Sequence, residues 1–144
     1  MIGKNYVVTG DDVNDFMIME NEAYISYTLR LLYIFLFYNG FSKEKLNALH
    51  IGFKEGNQRL ICNKDLMFTE PFYIEMSDCY IDNKVIIKSR FFNLKKECCA
   101  EVTKEVEWFD YARRVVIPAP RKIIKHFNHI AVGTGRDLSI WNHM

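Results

Sequence analysis

From Leu31 to Tyr38 the chain reads LLYIFLFY, eight apolar or aromatic residues without a break, and the run stops at Asn39-Gly40. A helix that is apolar on every side cannot lie on a protein surface. Whatever else this chain does, it must enclose that segment. A bilayer would do so, but Ile25 to Tyr38 is only 14 residues long and contains Arg30, Ser26 and Thr28. A membrane span needs about 18–20 apolar residues. The expectation is therefore a buried helix and no membrane. Asn21 reads as its N-cap, with Glu20 and Glu22 beside the positive end of the helix dipole. Asn39-Gly40 reads as a left-handed stop. The interval gives about five turns, enough to cross a small domain.

The rest of the sequence supplies something to wrap around such a helix. A first strand, KNYVVT (4–9), precedes it. A short amphipathic piece with Ser42 as cap follows it. Beyond Gly56 come four stretches with β-branched and aromatic residues in partial alternation: 58–68, 72–81, 85–94 and 98–111. Asp82-Asn83-Lys84 and Asn93 to Lys96 read as hairpin connections. In the last stretch Glu101, Thr103, Glu105 and Glu107 fall on one face. Ala100, Val102, Val106 and Trp108 fall on the other, with Lys104 the exception. One wet and one dry face suit an antiparallel sheet packed on something. Pro118 and Pro120 close the sheet, and RKIIKHF reads as a short final helix. The order predicts an α+β architecture in which a sheet curls around one helix, within a single domain spanning 1–144. Its core covers about 4–127, and 128–144 form a C-terminal extension.

Composition narrows the function classes. With 49% apolar residues in 144, the chain can bury one sizeable core. A net charge of +1 gives no general basic field for nucleic acid. Residues 1–10 lack the cationic start and apolar stretch of a secretory signal. Cys62, Cys79, Cys98 and Cys99 show no C-x-x-C spacing, which reads as reduced thiols in a cytoplasmic protein. His126 and His129 are three apart, but no carboxylate or cysteine accompanies them at matching spacing. No metal and no cofactor are expected.

The segment DVNDFMIMENEAY, Asp12 to Tyr24, resembles the pattern D-x-D-x-x-G-H-x-N-N-x-x-Y of the hot-dog-fold acyl-CoA thioesterases, in their 4-hydroxybenzoyl-CoA-thioesterase-like branch. Asp12, Asn21 and Tyr24 fall on the pattern. The segment from Cys98 to Phe127 is similar to that branch's last strand, basic turn and "IP" exit into a terminal helix. The resemblance covers about residues 4–127. It implies a hot-dog fold, with a long central helix wrapped by a curved five-stranded antiparallel sheet, and an acyl-CoA thioester hydrolase acting on coenzyme A or acyl carrier protein thioesters. It also implies a homodimer or a dimer of dimers, with basic side chains such as Arg113, Arg114, Arg121 and Lys122 near the substrate phosphates. Three positions depart from the pattern. Asn14 stands where the catalytic carboxylate usually is, Met17-Ile18 replaces Gly-His, and Glu20 replaces the first Asn. Asp15 sits one residue from the expected carboxylate.

Thioester hydrolysis needs a carboxylate to activate water or attack the carbonyl, donors for the oxyanion, and an apolar slot for the acyl group. The loop before the helix holds all three kinds of part. Asp15, Glu20 and Asp12 are the candidate catalytic carboxylates. The backbone at the helix start is the candidate oxyanion donor. Asn14, Asn21, Tyr24, Met17 and Ile18 are the candidate substrate-binding residues, and Met19 and Tyr27 join Met17, Ile18 and Tyr24 as candidates to line the acyl slot. Asn14 can orient a water or the thioester but cannot act as a base. Its presence also raises a second reading, a non-catalytic hot-dog protein that binds an acyl thioester or another hydrophobic ligand.

Overall fold

In a computed structural model the apolar run forms the second half of an 18-residue helix, α1 (Asn21–Tyr38). The structure describes residues 2–54, 56–81 and 84–128. The expected turn residues Asp82 and Asn83, His129 and most of the C-terminal extension lie outside that set. Asn21 stands in the first turn of α1 rather than before it as a cap. Gly40 follows the helix with φ +93°, and Phe41 N–H donates to the Leu36 carbonyl (2.8 Å). A left-handed residue here satisfies carbonyls that the helix end would leave orphaned, and glycine adopts it without strain. Among the described residues no helix is long and apolar enough to cross a membrane.

The remaining elements are β1 (Ile2–Val7), α2 (Lys43–Ala48), β2 (Ile51–Lys54), β3 (Gln58–Cys62), β4 (Pro71–Ile81), β5 (Lys84–Phe92), β6 (Cys98–Asp110), β7 (Val115–Ile117) and α3 (Arg121–Ile124). The strands form one sheet with the path β1-β4-β5-β6-β2, while β3 and β7 also pair with β6. The pairs β1–β4, β2–β6 and β6–β7 are antiparallel, and α1 packs against this sheet. The fold class is α+β, as expected. Two strands escape the sequence reading: β2, which carries Gly52, and the three-residue β7. The stretch read as one strand over 58–68 is strand only to Cys62. Asn63, Lys64 and Asp65 turn the chain away, with Asn63 and Lys64 both donating to the Cys99 carbonyl. Ser42 caps α2 by accepting from Lys45 N–H (3.1 Å).

Contacts divide the chain into two compact units, and α1, β3, β4, β5 and β6 each contribute residues to both. In the unit of residues 1–32, 59–77 and 88–103, the first half of α1 buries Tyr24, Tyr27, Leu31 and Leu32 with Phe72, Ile74, Met76 and Phe91 of the sheet. Tyr24 meets Phe91 edge-on and Tyr27 meets Phe72 edge-on, both with ring centroids 5.0 Å apart, a favoured aromatic geometry. The buried hydroxyls of Thr28 and Ser89 satisfy each other at 2.6 Å, and Thr28 donates to the Tyr24 carbonyl.

In the unit of residues 33–58, 78–87 and 104–144, Leu36 is fully buried, while Tyr33, Ile34 and Phe35 are half-buried. Phe37 and Tyr38 face solvent. The apolar run is thus covered on one side by Phe53, which packs on Tyr33, and by Phe127, which packs on Phe35. Lys104, the exception on the dry face of β6, is buried and donates to Gln58 Oε1 (3.1 Å).

This second unit supports two stability predictions. A β-carbon at Gly56 would lie 2.9 Å from the Glu105 carbonyl oxygen, and that backbone is already fixed by Glu105 N–H donating to Asn57 O. Gly56→Ala is expected to cost about 1–3 kcal/mol in chemical denaturation, as an overpacked site does. Asp78 is buried on β4 and accepts from Asn128 N–H (2.9 Å). Burial raises its carboxyl above the usual range, and the Asn128 N–H only partly offsets this. A carboxyl whose folded pKa is raised contributes stability below its unfolded pKa and loses it as pH rises through the folded value. Asp78→Asn keeps an acceptor for Asn128 and removes the titration. It is expected to be more stable than the native chain at pH 7, with the advantage gone at pH 3, read as the difference in Tm.

Candidate active site

Between β1 and α1 the chain builds a short loop whose folding depends on two polar side chains. A single 3-10 turn, Gly10–Asp12, ends at Asp12, whose Oδ2 accepts from Thr9 N–H (2.9 Å) and from the Tyr27 hydroxyl (2.6 Å). Asp12 is 6% exposed, and its carbonyl accepts from Glu20 N–H (2.9 Å). The Tyr27 phenol is pushed up to about 12, first by burial and then by this carboxylate.

Asn14 closes the next turn. Its Oδ1 accepts from Phe16 N–H (2.9 Å) and Ile18 N–H (3.2 Å), an arrangement typical of Asn in turns. Asn14 and Ile18 also pair through the backbone, and Met17 takes a left-handed φ of 63° to complete the turn. The returning arm is strapped to residues 66–68: Met19 N–H donates to Leu66 O, Phe68 N–H donates to Met17 O, and Ile18 bridges Met67.

This folding opens a cleft of about 450 Å³ lined by Asn14, Ile18, Met19, Glu20, Asn21, Glu22 and Asp65. Five residues expected from the sequence thus meet at one place: Asn14, Ile18, Met19, Glu20 and Asn21. Glu20 is exposed and immediately precedes the first turn of α1, where the backbone N–H groups have no partner within the helix. Three carboxylates share the cleft, and among the described residues that line it none is basic. Metal-ligand clusters are absent among the described residues.

The other expected residues sit elsewhere. Asp15 lies at the exposed tip of the Asn14–Ile18 turn, outside the cleft lining. Asp12 is buried on its two donors. Met17 is half exposed beside the turn tip. Tyr24 is buried, and its hydroxyl accepts from Leu66 N–H (3.4 Å) and from the Cys62 thiol (4.0 Å). Burial, with Cys62 beside it, holds that phenol well above its ordinary value. In the second unit, Arg113 is engaged by Asp110 at 2.9 Å, and Arg114 is exposed.

Asp65 and the Glu22 side chain are not among the candidates that the sequence offers. The strand expected over 58–68 places Asp65 in its interior. The Asn63-Lys64-Asp65 cluster is a turn signal that would have ended the strand there and placed Asp65 on a loop.

No family model and no curated protein matches the sequence. Solved structures do match in fold. A gentisyl-coenzyme A thioesterase superposes with a TM-score of 0.77 at 20% identity, covering 88% of this chain and 99% of that one. A 1,4-dihydroxy-2-naphthoyl-CoA thioesterase from Synechocystis gives 0.75 at 6% identity, covering 86% and 93%. A hypothetical protein from Staphylococcus aureus, solved in complex with CoA, gives 0.75 at 11% identity, covering 86% and 79%. What is shared at these identities is the fold, and it is the hot-dog fold that the Asp12–Tyr24 resemblance implied.

Proposed function

We propose that this hot-dog chain hydrolyses acyl-coenzyme A thioesters, with Glu20 as the catalytic carboxylate. The observation that supports this best is the position of Glu20. It lies in the cleft with Asn14, directly ahead of the N–H groups of Asn21 and Glu22 in the first turn of α1, in a fold whose solved examples include acyl-CoA thioesterases. In this reading the thioester carbonyl oxygen points at the N–H groups of Asn21 and Glu22, which stabilise developing negative charge without reorganising. The Glu20 carboxylate takes a proton from water as the water oxygen attacks the carbonyl carbon. Collapse of the tetrahedral intermediate breaks the carbon–sulfur bond and releases coenzyme A thiolate, a leaving group good enough to need no strong acid. The Asn14 side-chain N–H donors, whose partner oxygen is held in the turn, orient the water or the thioester.

The carrier is coenzyme A or acyl carrier protein, and the assembly is a homodimer or a dimer of dimers. β1 and β2 end the main sheet path and offer edges for a second copy. The second reading, a binding protein without catalysis, is favoured by Asn14 at the position where the family pattern carries its carboxylate.

Thiol release from short, medium, long and aromatic acyl-CoAs tests the proposal. Turnover of at least one thioester well above the uncatalysed rate is expected. No turnover together with saturable binding of a thioester analogue would leave the binding-protein reading in its place.

A further inference from the structure

Four large apolar side chains stand in solvent beside the cleft: Phe16 is 78% exposed, Met17 51%, Met67 41% and Phe68 42%. Single exposed hydrophobics are ordinary, but a group of them on neighbouring segments marks a surface that binds something. These four come from two segments that are bonded together. Phe68 N–H donates to the Met17 carbonyl at 2.9 Å, and Ile18 forms an antiparallel bridge with Met67. Ile18 is also a lining residue of the cleft, so this apolar group, the ledge, adjoins the cleft where Met67 is paired with Ile18. Methionine adapts its shape to a flexible apolar partner, and phenylalanine offers a flat face to an alkyl chain or ring. The cleft beside the ledge carries Glu20, Glu22 and Asp65 and, among the described residues that line it, no basic side chain. Such a field disfavours any acyl group bearing its own carboxylate.

We propose that the acyl group of the substrate is uncharged and apolar, and that it lies on the ledge of Phe16, Met17, Met67 and Phe68 while its carbonyl occupies the cleft. This assignment rests on the hydrolase reading above and adds the substrate class to it. The occupant is the acyl group because Met67 of the ledge is paired with Ile18, which lines the cleft where the carbonyl must sit.

The test is calorimetric binding of non-hydrolysable acyl-CoA analogues, in which a methylene replaces the thioester sulfur, so the readout is independent of turnover. Butyryl, hexanoyl, octanoyl and succinyl analogues are compared on the native chain and on a Phe16→Ser/Phe68→Ser variant. Both side chains are exposed, and folding of the variant is checked by circular dichroism. On the native chain, affinity is expected to rise about two- to fourfold per methylene from butyryl to octanoyl, the range for partly to fully buried CH₂ groups. The succinyl analogue is expected to bind at least about tenfold more weakly than butyryl. In the variant the rise per methylene falls below about 1.5-fold. A steep native series without any hydrolysis of the parent thioesters would sink the hydrolase reading and leave the ledge assignment standing. A flat native series, or no binding of any analogue, overturns the ledge assignment. So does a variant that shifts from dimer to monomer in sedimentation with its chain-length slope unchanged, because the ledge would then be a contact between copies.

Discussion

Glu20→Gln is expected to lower kcat for acyl-CoA hydrolysis by about a hundredfold or more, the loss typical of removing a general base, with little change in the urea midpoint. The separation of the two effects follows from how Glu20 is held. Its backbone N–H donates to the Asp12 carbonyl and its own carbonyl accepts from Ala23 N–H, both bonds that glutamine keeps. Its side chain is exposed and enters none of the described hydrogen bonds or ion pairs. The amide has the same shape but cannot take a proton from water. Asp15→Asn, measured beside it, is expected to stay within about threefold of native activity, because Asp15 points from an exposed turn tip that does not line the cleft. If the loss appeared in Asp15→Asn and not in Glu20→Gln, the turn would have to close over the cleft during turnover, and the carboxylate assignment would pass to Asp15.

How far the sequence carried depends on which forces are local. The helix was legible because an uninterrupted apolar run ending in Asn-Gly leaves few alternatives. Its degree of enclosure was not legible. Between Tyr33 and Phe35 its cover comes from Phe53 and Phe127, which lie far away in sequence. The long strands β4, β5 and β6 declared themselves through alternation over nine or more residues. The short β2 and β7 exist because β6 offers its edge, and no local pattern encodes that. Leu66 to Phe68 looked like strand for the opposite reason: they are apolar because they hold down the loop arm at Met17–Met19, not because they belong to a ladder.

The candidate site divides in the same way. Position along the loop was readable through the resemblance, so Asn14, Ile18, Met19, Glu20 and Asn21 were found together. Side-chain direction was not readable. Asp12, Asp15 and Glu20 are chemically alike in sequence and differ only in what the fold places around them. Asp65 reaches the cleft through a turn more than forty residues away from Glu20 in sequence, a proximity that only the packed structure supplies.

Asp12→Ala is expected to destabilise the chain by about 3 kcal/mol, measured by urea denaturation at pH 7, more than any other loop substitution considered. One carboxylate oxygen accepts both from the Thr9 N–H and from the buried Tyr27 hydroxyl. Charge-assisted bonds of this kind contribute about 1.5–3 kcal/mol each when buried. Removing the carboxylate also strands the Tyr27 hydroxyl at 2% exposure, where no water replaces the lost acceptor. Tyr27→Phe removes only the donor, and its ring keeps its contacts with Tyr6 and Phe72, so about 1–2 kcal/mol is expected. The double variant leaves no orphaned hydroxyl and should be less destabilised than the sum of the two by about 1 kcal/mol or more. A strictly additive pair would mean that the two groups do not act on each other, and Asp12 would then be available for chemistry. Coupling of the expected sign makes Asp12 the post that fixes where Glu20 stands. Its backbone carbonyl holds Glu20 N–H, and its side chain anchors that carbonyl to the helix through Tyr27.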